Sequence, residues 1–198
     1  MKTIFTSLLC LLAFAAFSQE ETLFDDLEII GAFGGPLIDI GKINGEVGAS
    51  VGGGGALVLN NIFIGGYGVG TDFPEYEITD GEDKGFYNIR FRHGGLWLGY
   101  VPNQHKVVHF YGSAKIGWGK GRLRTDKDTR FSDRVFVMTP ELGVDINVTS
   151  FLKISLTGGY RWVNGVTQLP GLDNADFSSP IGGITFRIGG FGYDDWDW

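Results

Sequence analysis

The feature that most constrains the fold of this chain is a period-two alternation of apolar and polar residues in its second half. Segment 152–162 shows it best: Lys153, Ser155, Thr157, Gly159 and Arg161 share one face, and Leu152, Ile154, Leu156, Tyr160 and Trp162 share the other. Because successive side chains of a β-strand point to opposite faces, this pattern predicts a strand with one apolar and one charged face. Such strands are typical of a barrel in lipid, which is apolar outside and polar inside.

Similar segments predict eight strands, near residues 27–40, 46–59, 62–72, 86–101, 107–121, 134–148, 151–163 and 181–192. Their connectors are tight turns at 60–61, 102–106 and 149–150, longer polar loops at 72–85, 122–133 and 164–180, and a brief link at 41–45. Tight turns at one rim, long loops at the other and an even strand count are typical of outer-membrane barrels. The predicted fold class is all-β: an eight-stranded antiparallel up-and-down transmembrane β-barrel over residues 27–192.

The two ends of the chain are predicted to lie outside this barrel. Residues 1–18 have the apolar run and small residues of a cleaved signal peptide, and 19–26 form a lead-in. A membrane anchor is the alternative for the first segment, but the run is short for a bilayer span. Residues 193–198 either extend the last strand or form an acidic aromatic tail, in which Trp196 and Trp198 serve as an assembly signal. Export to the outer membrane of a Gram-negative bacterium is therefore expected.

Composition argues against several functional classes. The single cysteine, Cys10, lies in the predicted signal peptide, so the mature chain would hold no disulfide and no thiolate zinc site. The net charge of −7 argues against a nucleic-acid partner. His93, His105 and His109 share no ligand spacing, so we expect neither a metal nor a cofactor. The acidic segment 72–83 is either a solvated loop or a site for divalent cations.

The inward faces of the predicted strands carry many charges. An eight-stranded barrel is barely wide enough for its own side chains, and a buried charge without a partner is costly. We therefore expect an ion-pair network that plugs the lumen, centred on Glu141 and Asp145. Its predicted members are Glu28, Arg90, Arg92, Lys115, Glu141, Asp145, Lys153, Arg161 and Arg187, with Glu46 as a further acid. The alternative is a catalytic or transport site.

Two further groups of residues are candidates for contacts. Aromatic side chains towards the strand ends predict girdles at the level of the lipid headgroups. These are Trp97, Tyr100, Phe110, Trp118, Phe136, Phe151, Tyr160, Trp162 and Phe191. Loop 164–180 carries the apolar residues Leu169, Leu172 and Phe177, which either fold over the barrel mouth or contact an envelope protein partner.

Five segments resemble the small eight-stranded outer-membrane barrels of the OmpA/OmpX-like superfamily. They are GGLWLGY at 94–100, FYGSAKIGWG at 110–119, PELGV at 140–144, LTGGYR at 156–161 and ITFRIG at 184–189. The resemblance implies residence among outer-membrane lipid and lipopolysaccharide, and insertion by the barrel-assembly machinery. Its motifs are architectural, so they imply little about activity.

The leading prediction is a non-enzymatic outer-membrane barrel with a structural or a surface and partner-binding role. A narrow, low-conductance channel is the first alternative. A lipid-modifying enzyme is less favoured, because His93 is the one histidine on a predicted accessible face and no serine and acid accompany it. A soluble carrier of lipocalin type would need an apolar lumen, the reverse of the predicted pattern.

Overall fold

The computed structural model describes residues 28–78, 84–124 and 129–192, and this part of the chain forms a closed barrel. The strands are β1 (Ile29–Ile43), β2 (Glu46–Leu59), β3 (Ile62–Ile78), β4 (Gly85–Tyr100), β5 (Val108–Arg124), β6 (Thr129–Asn147), β7 (Leu152–Asn164) and β8 (Ser179–Phe191). Each strand pairs antiparallel with the next, and β8 pairs with β1. The eight-stranded up-and-down barrel predicted from the sequence is confirmed. The predictions for residues 1–18, 19–26 and 193–198, including Trp196 and Trp198, lie outside the described residues.

The hairpin turns follow from local sequence. Asn44 and Gly45 join β1 to β2 with φ values of 51° and 80°, which suit a two-residue hairpin turn. Asn60, with φ of 49°, begins the turn between β2 and β3. We call the end of the barrel with residues 60–61, 101–107 and 148–151 the short-turn end. The opposite end, with residues 44–45 and 165–178, is the long-loop end.

Three strands extend farther towards the long-loop end than the sequence pattern predicted. Strands β3, β5 and β6 contain 17, 17 and 19 residues, so much of the predicted loops 72–85 and 122–133 is strand. About 9–11 residues suffice for a tilted strand to cross a bilayer. The extra length therefore extends beyond any apolar zone, where outward side chains can be polar. This polarity is why the extensions resembled loops.

Apolar side chains make up much of the outside of the barrel. Large exposed hydrophobic residues occur on all eight strands and include Ile40, Leu57, Ile64, Leu96, Phe110, Leu142, Leu156 and Ile188. Within the described ranges, no helix is both long and apolar enough to cross a bilayer. The single short helix in these ranges, α1 (Asn174–Phe177), lies in the connection from β7 to β8.

The interior is more apolar than predicted. One buried cluster, near the short-turn end, contains Phe33, Phe63, Trp97, Tyr111 and Phe191 among others. A second, near the long-loop end, contains Tyr87, Phe91, Leu123, Val137 and Phe177 among others. Along β5, Lys115 lies between Tyr111 of the first cluster and Leu123 of the second, so buried charge is layered between apolar regions.

Candidate functional site: the barrel interior

A three-residue ion cluster crosses the middle of the lumen. The Lys115 ammonium group lies 2.8 Å from Glu141 Oε1 and 3.1 Å from Asp39 Oδ2. Ser113 donates a hydrogen bond of 2.9 Å to the other Glu141 oxygen. The side chains of Lys115, Asp39 and Glu141 are only 2%, 8% and 1% exposed. We call these three residues the central ion cluster, which ties β1 to β5 and β6 across the barrel.

A second buried ion pair lies nearer the short-turn end. Arg187 on β8 donates to Asp145 on β6 at 2.8 Å, and His109 Nε2 lies 3.6 Å from the same carboxylate. The guanidinium is surrounded by four rings, with its carbon 4.4–5.3 Å from the ring centres of Phe33, Phe63, Trp97 and Tyr111. Cation–π contacts of this kind favour a desolvated cation. Lys153 has a similar contact, 4.1 Å from the centre of the Phe191 ring.

The segment between β7 and β8 enters the mouth of the barrel at the long-loop end. Leu169, Leu172 and Phe177 are 3%, 7% and 0% exposed, and they belong to the buried cluster near that end. Phe177 packs against Phe91, with ring centres 5.3 Å apart. Of the two alternatives for these apolar residues, the structure shows that they fold into the mouth, so they are not available to a partner.

Two charged side chains hold this segment in place. Asp133 on β6 accepts backbone N–H bonds from Thr167 and Gln168, both at 2.7 Å, and from Leu169 at 3.2 Å. Arg161 on β7 donates to the backbone oxygen of Phe177 at 2.9 Å and to that of Lys42 at 2.7 Å. Asp133 therefore bonds the start of the segment, and Arg161 joins its end to β1. The segment is therefore fixed to the wall as well as packed into it.

Local sequence also shapes α1 within this segment. Asp173 caps the helix by accepting from the backbone nitrogens of Ala175 and Asp176, and Asp176 accepts from the Asp173 backbone in return. This reciprocal capping box stabilises a helix start without outside help. It turns the chain so that Phe177 points into the barrel.

The structure places six of the nine predicted ion-pair residues in the interior. Lys115, Glu141, Asp145, Lys153, Arg161 and Arg187 are all buried. Arg161 bonds backbone and hydroxyl oxygens, so its role differs from the predicted one.

Three predicted members are wrong, and so is Glu46. Glu28 and Glu46 are exposed, because they lie at or next to strand ends. Arg90 and Arg92 lie on the outer face of β4. The prediction assigned the faces of β4 the wrong way round, because it assumed that apolar residues face lipid along the whole strand. Near the long-loop end, the apolar side chains of β4 instead meet the inserted segment.

The aromatic prediction also needs correction at two positions. Trp97 and Phe191 are 1% and 3% exposed and point inward, where they pack with Arg187 and Lys153 respectively. Both lie at inward positions of their strands. The remaining candidates, Tyr100, Phe110, Trp118, Phe136, Phe151, Tyr160 and Trp162, lie on the outer side, where all but the half-buried Tyr160 are exposed.

His93 is the histidine considered for catalysis, and it too lies inside. It is 8% exposed, and its Nδ1 lies 3.1 Å from the Tyr67 hydroxyl. A buried position behind the barrel wall does not suit a group that must reach a membrane lipid. Its predicted place on the lipid side was wrong because the two faces of β4 were exchanged, the same error that placed Arg90 and Arg92 inside.

Sequence reasoning missed three interior residues. Asp39 could have been found, because it stands between the outward Ile38 and Ile40 in an alternating strand. Tyr67 was hidden among glycines, which give no alternation to follow. Asp133 was assigned to a loop, and nothing in the sequence indicates that it binds the backbone of residues 167–169.

Comparison with known proteins agrees with the barrel. Neisserial surface protein A (NspA) superposes with a TM-score of 0.54 at 10% identity, covering 80% of this chain and 94% of that chain. Ail of Yersinia pestis, in complex with the heparin analogue sucrose octasulfate, gives 0.47 at 16% identity over 80% and 95% of the two chains. OprG, an outer membrane protein of Pseudomonas aeruginosa, gives 0.43 at 14% identity over 80% and 92%. No protein-family model and no curated protein matches the chain. The likeness to NspA shows the fold.

Proposed function

We propose that this protein is a non-enzymatic outer-membrane barrel with a closed, charged lumen, which acts as a structural or surface scaffold. The observation that carries the proposal is the filling of the interior. The central ion cluster occupies its middle, and the Phe177 segment occupies its mouth. Each charge of the central ion cluster has a partner of opposite sign. A narrow barrel needs this arrangement, because a buried charge without a partner is costly.

The outward aromatic residues support the membrane placement. Phe110 and Trp118 lie eight residues apart on β5 and are both exposed. At about 3.4 Å per residue and a strand tilt of about 40°, they are separated by about 20 Å along the barrel axis, close to the ~25 Å height of an outer-membrane apolar band. Tyr100 lies opposite Gly112, two residues from Phe110, and Phe136 pairs with Trp118. Two girdles at the headgroup levels are therefore part of the proposal.

The proposal includes three partners. Outer-membrane lipid and lipopolysaccharide would contact the apolar belt, and the barrel-assembly machinery would insert the chain. An envelope protein binding to loop 164–180 would meet its exposed polar residues, such as Thr167, Gln168 and Asp173, because the apolar residues are buried.

Fractionation and conductance test this proposal. The protein should be found in the outer membrane, and its mobility on SDS gels should differ between unboiled and boiled samples. In planar bilayers, the wild-type protein should give no discrete conductance steps. Glu141→Ala should also give none, because the Phe177 segment still fills the mouth and the aromatic cluster still fills the short-turn end, and Glu75→Ala, at an exposed position, should resemble wild type.

The rival functions give different results in the same experiments. A channel would show steps in the wild-type protein, with a conductance or ion preference that Glu141→Ala changes. A lipid-modifying enzyme would change the mass of lipid A in cells that carry the gene relative to cells that lack it. Either result would refute the proposed closed scaffold, and recovery in the soluble fraction would refute the membrane location.

A further inference from the structure

A row of cations crosses the outer face of β4, β5 and β6 near the long-loop end. Arg92 lies directly opposite Lys120 in the sheet, and Lys120 lies directly opposite Arg134. All three side chains are exposed on the outer wall. We call Arg92, Lys120 and Arg134 the basic row. Arg122 lies on the same face, two residues farther along β5.

Among the side chains that the structure describes, no carboxylate forms an ion pair with Arg92, Lys120, Arg122 or Arg134. Like charges directly opposite each other destabilise a sheet. The chain as a whole has a net charge of −7, so the row does not reflect a general excess of base. An anion bound across the row would remove this repulsion.

The row lies at a boundary on the barrel surface. One outward step towards the short-turn end, Gly94, Trp118 and Phe136 occupy the corresponding positions, and the Trp118 and Phe136 rings meet edge to face at 5.8 Å. The next outward step carries Leu96, Ile116 and Met138, which are apolar. Cations above aromatic rings and apolar residues match the order of phosphate, interface and acyl chain in one lipid leaflet.

Two surface depressions flank Trp118. One, of about 560 Å³, is bordered by Arg92 and floored by Gly68, Gly70 and Gly94. The other, of about 730 Å³, is bordered by Lys120, Arg134 and Phe136. Each depression therefore joins a basic-row residue to the aromatic ring beside it. This shape can receive a chain on the apolar side and an anionic group on the charged side.

We propose that the basic row binds the phosphate groups of a multiply phosphorylated lipid in the outer leaflet. Three adjacent strands span about 10 Å, because neighbouring strands lie about 4.8 Å apart. Two phosphates on one headgroup can therefore contact the row together, with Lys120 between them and an arginine on each side. This inference rests on the membrane placement proposed above and adds a binding site to it.

Lipid binding to the folded full-length mature protein tests this site. The barrel is placed in phosphatidylcholine nanodiscs that contain diphosphoryl lipid A, monophosphoryl lipid A or no added lipid, and retention is measured by native mass spectrometry. Lys120→Gln/Arg134→Gln should weaken retention of diphosphoryl lipid A by about tenfold or more, because charge-assisted hydrogen bonds are lost. Lys42→Gln/Lys106→Gln removes the same charge at exposed positions outside the row and should retain wild-type binding.

Each other outcome overturns the proposal. Equal loss in both double variants would mean general electrostatic attraction without a site. Unchanged binding in Lys120→Gln/Arg134→Gln would place the lipid elsewhere. Equal affinity for free pyrophosphate, or displacement of the lipid by a sulfated polysaccharide at equal charge concentration, would show that the row does not select a lipid over a soluble anion. If the protein enters the outer membrane but fails these tests, the inference fails and the proposed scaffold stands.

Discussion

Lys115→Met should be the most damaging single substitution in the lumen, because one ammonium group serves two buried carboxylates. The methionine keeps most of the volume but removes the 2.8 Å contact with Glu141 and the 3.1 Å contact with Asp39. Breaking a buried ion pair costs about 3–5 kcal/mol, since the remaining charge is left without a partner. Here two carboxylates are left facing each other, so we expect a loss of stability near 5 kcal/mol.

The loss of stability caused by the unpaired carboxylates can be separated from a loss caused by poorer packing. Adding Asp39→Asn and Glu141→Gln removes both orphaned charges with little change of shape. The triple variant should recover most of the loss, because neutral replacement of a buried ion group is often close to neutral in free energy. Lys106→Met changes an exposed lysine and should alter stability by less than about 0.5 kcal/mol.

Urea unfolding in detergent micelles, followed by tryptophan fluorescence, measures these differences. Trp97 is a useful reporter because the centre of its ring lies 5.9 Å from the Lys115 ammonium group. A Lys115→Met loss below about 1 kcal/mol would contradict the reasoning, because it would mean that water already screens the central ion cluster. A triple variant as unstable as Lys115→Met would assign the loss to packing instead of charge.

Two further substitutions test how the barrel is held together. Asp133→Ala should speed amide hydrogen exchange of residues 167–169 by roughly 30-fold, because their N–H groups lose an ionised acceptor worth about 2 kcal/mol. Unchanged exchange would show that packing alone holds the segment. Gly183→Ala should destabilise the barrel by about 1–3 kcal/mol, since its Cβ would lie 2.7 Å from a carboxylate oxygen of Asp39. Gly182→Ala, whose Cβ meets its nearest atom at 3.9 Å, should be tolerated, and the temperature at which each variant loses its unboiled gel mobility compares them.

The sequence predicts strands β5 to β8 well for a physical reason. Five of their inward charges, Lys115, Glu141, Asp145, Lys153 and Arg187, lie in the middle or at the short-turn end of the barrel, where the outward positions hold apolar residues. At that depth, alternation has only one favourable assignment, because the reverse would put Lys115 or Arg187 into hydrocarbon. The faces of these strands, and the burial of Glu141 and Asp145, follow from the printed sequence.

The same rule fails on β4 because depth changes along the strand. Near the long-loop end, Arg90 and Arg92 are outside the apolar zone, while Ile89 and Phe91 pack on an inserted segment that a strand-by-strand reading does not include. The period-two alternation shows which residues of a strand share a face. The surroundings of the two faces decide which face points into the barrel. That environment depends on residues 165–178, almost 80 positions later in the chain.

The central ion cluster also bears on how the barrel closes. Asp39 belongs to β1, and the pairing of β1 with β8 closes the barrel. In that pairing Asp39 lies opposite Gly183. It meets Lys115, 76 residues away, from across the lumen. A slip of β1 by two residues would keep the same faces but move Asp39 along the barrel wall, away from Lys115. It would leave an ammonium group short of one carboxylate and bury that carboxylate alone, at a cost of several kcal/mol. Apolar packing with period two does not discriminate strongly between registers that differ by two residues, whereas a buried charge does. We therefore infer that the central ion cluster selects the register in which β1 pairs with β8.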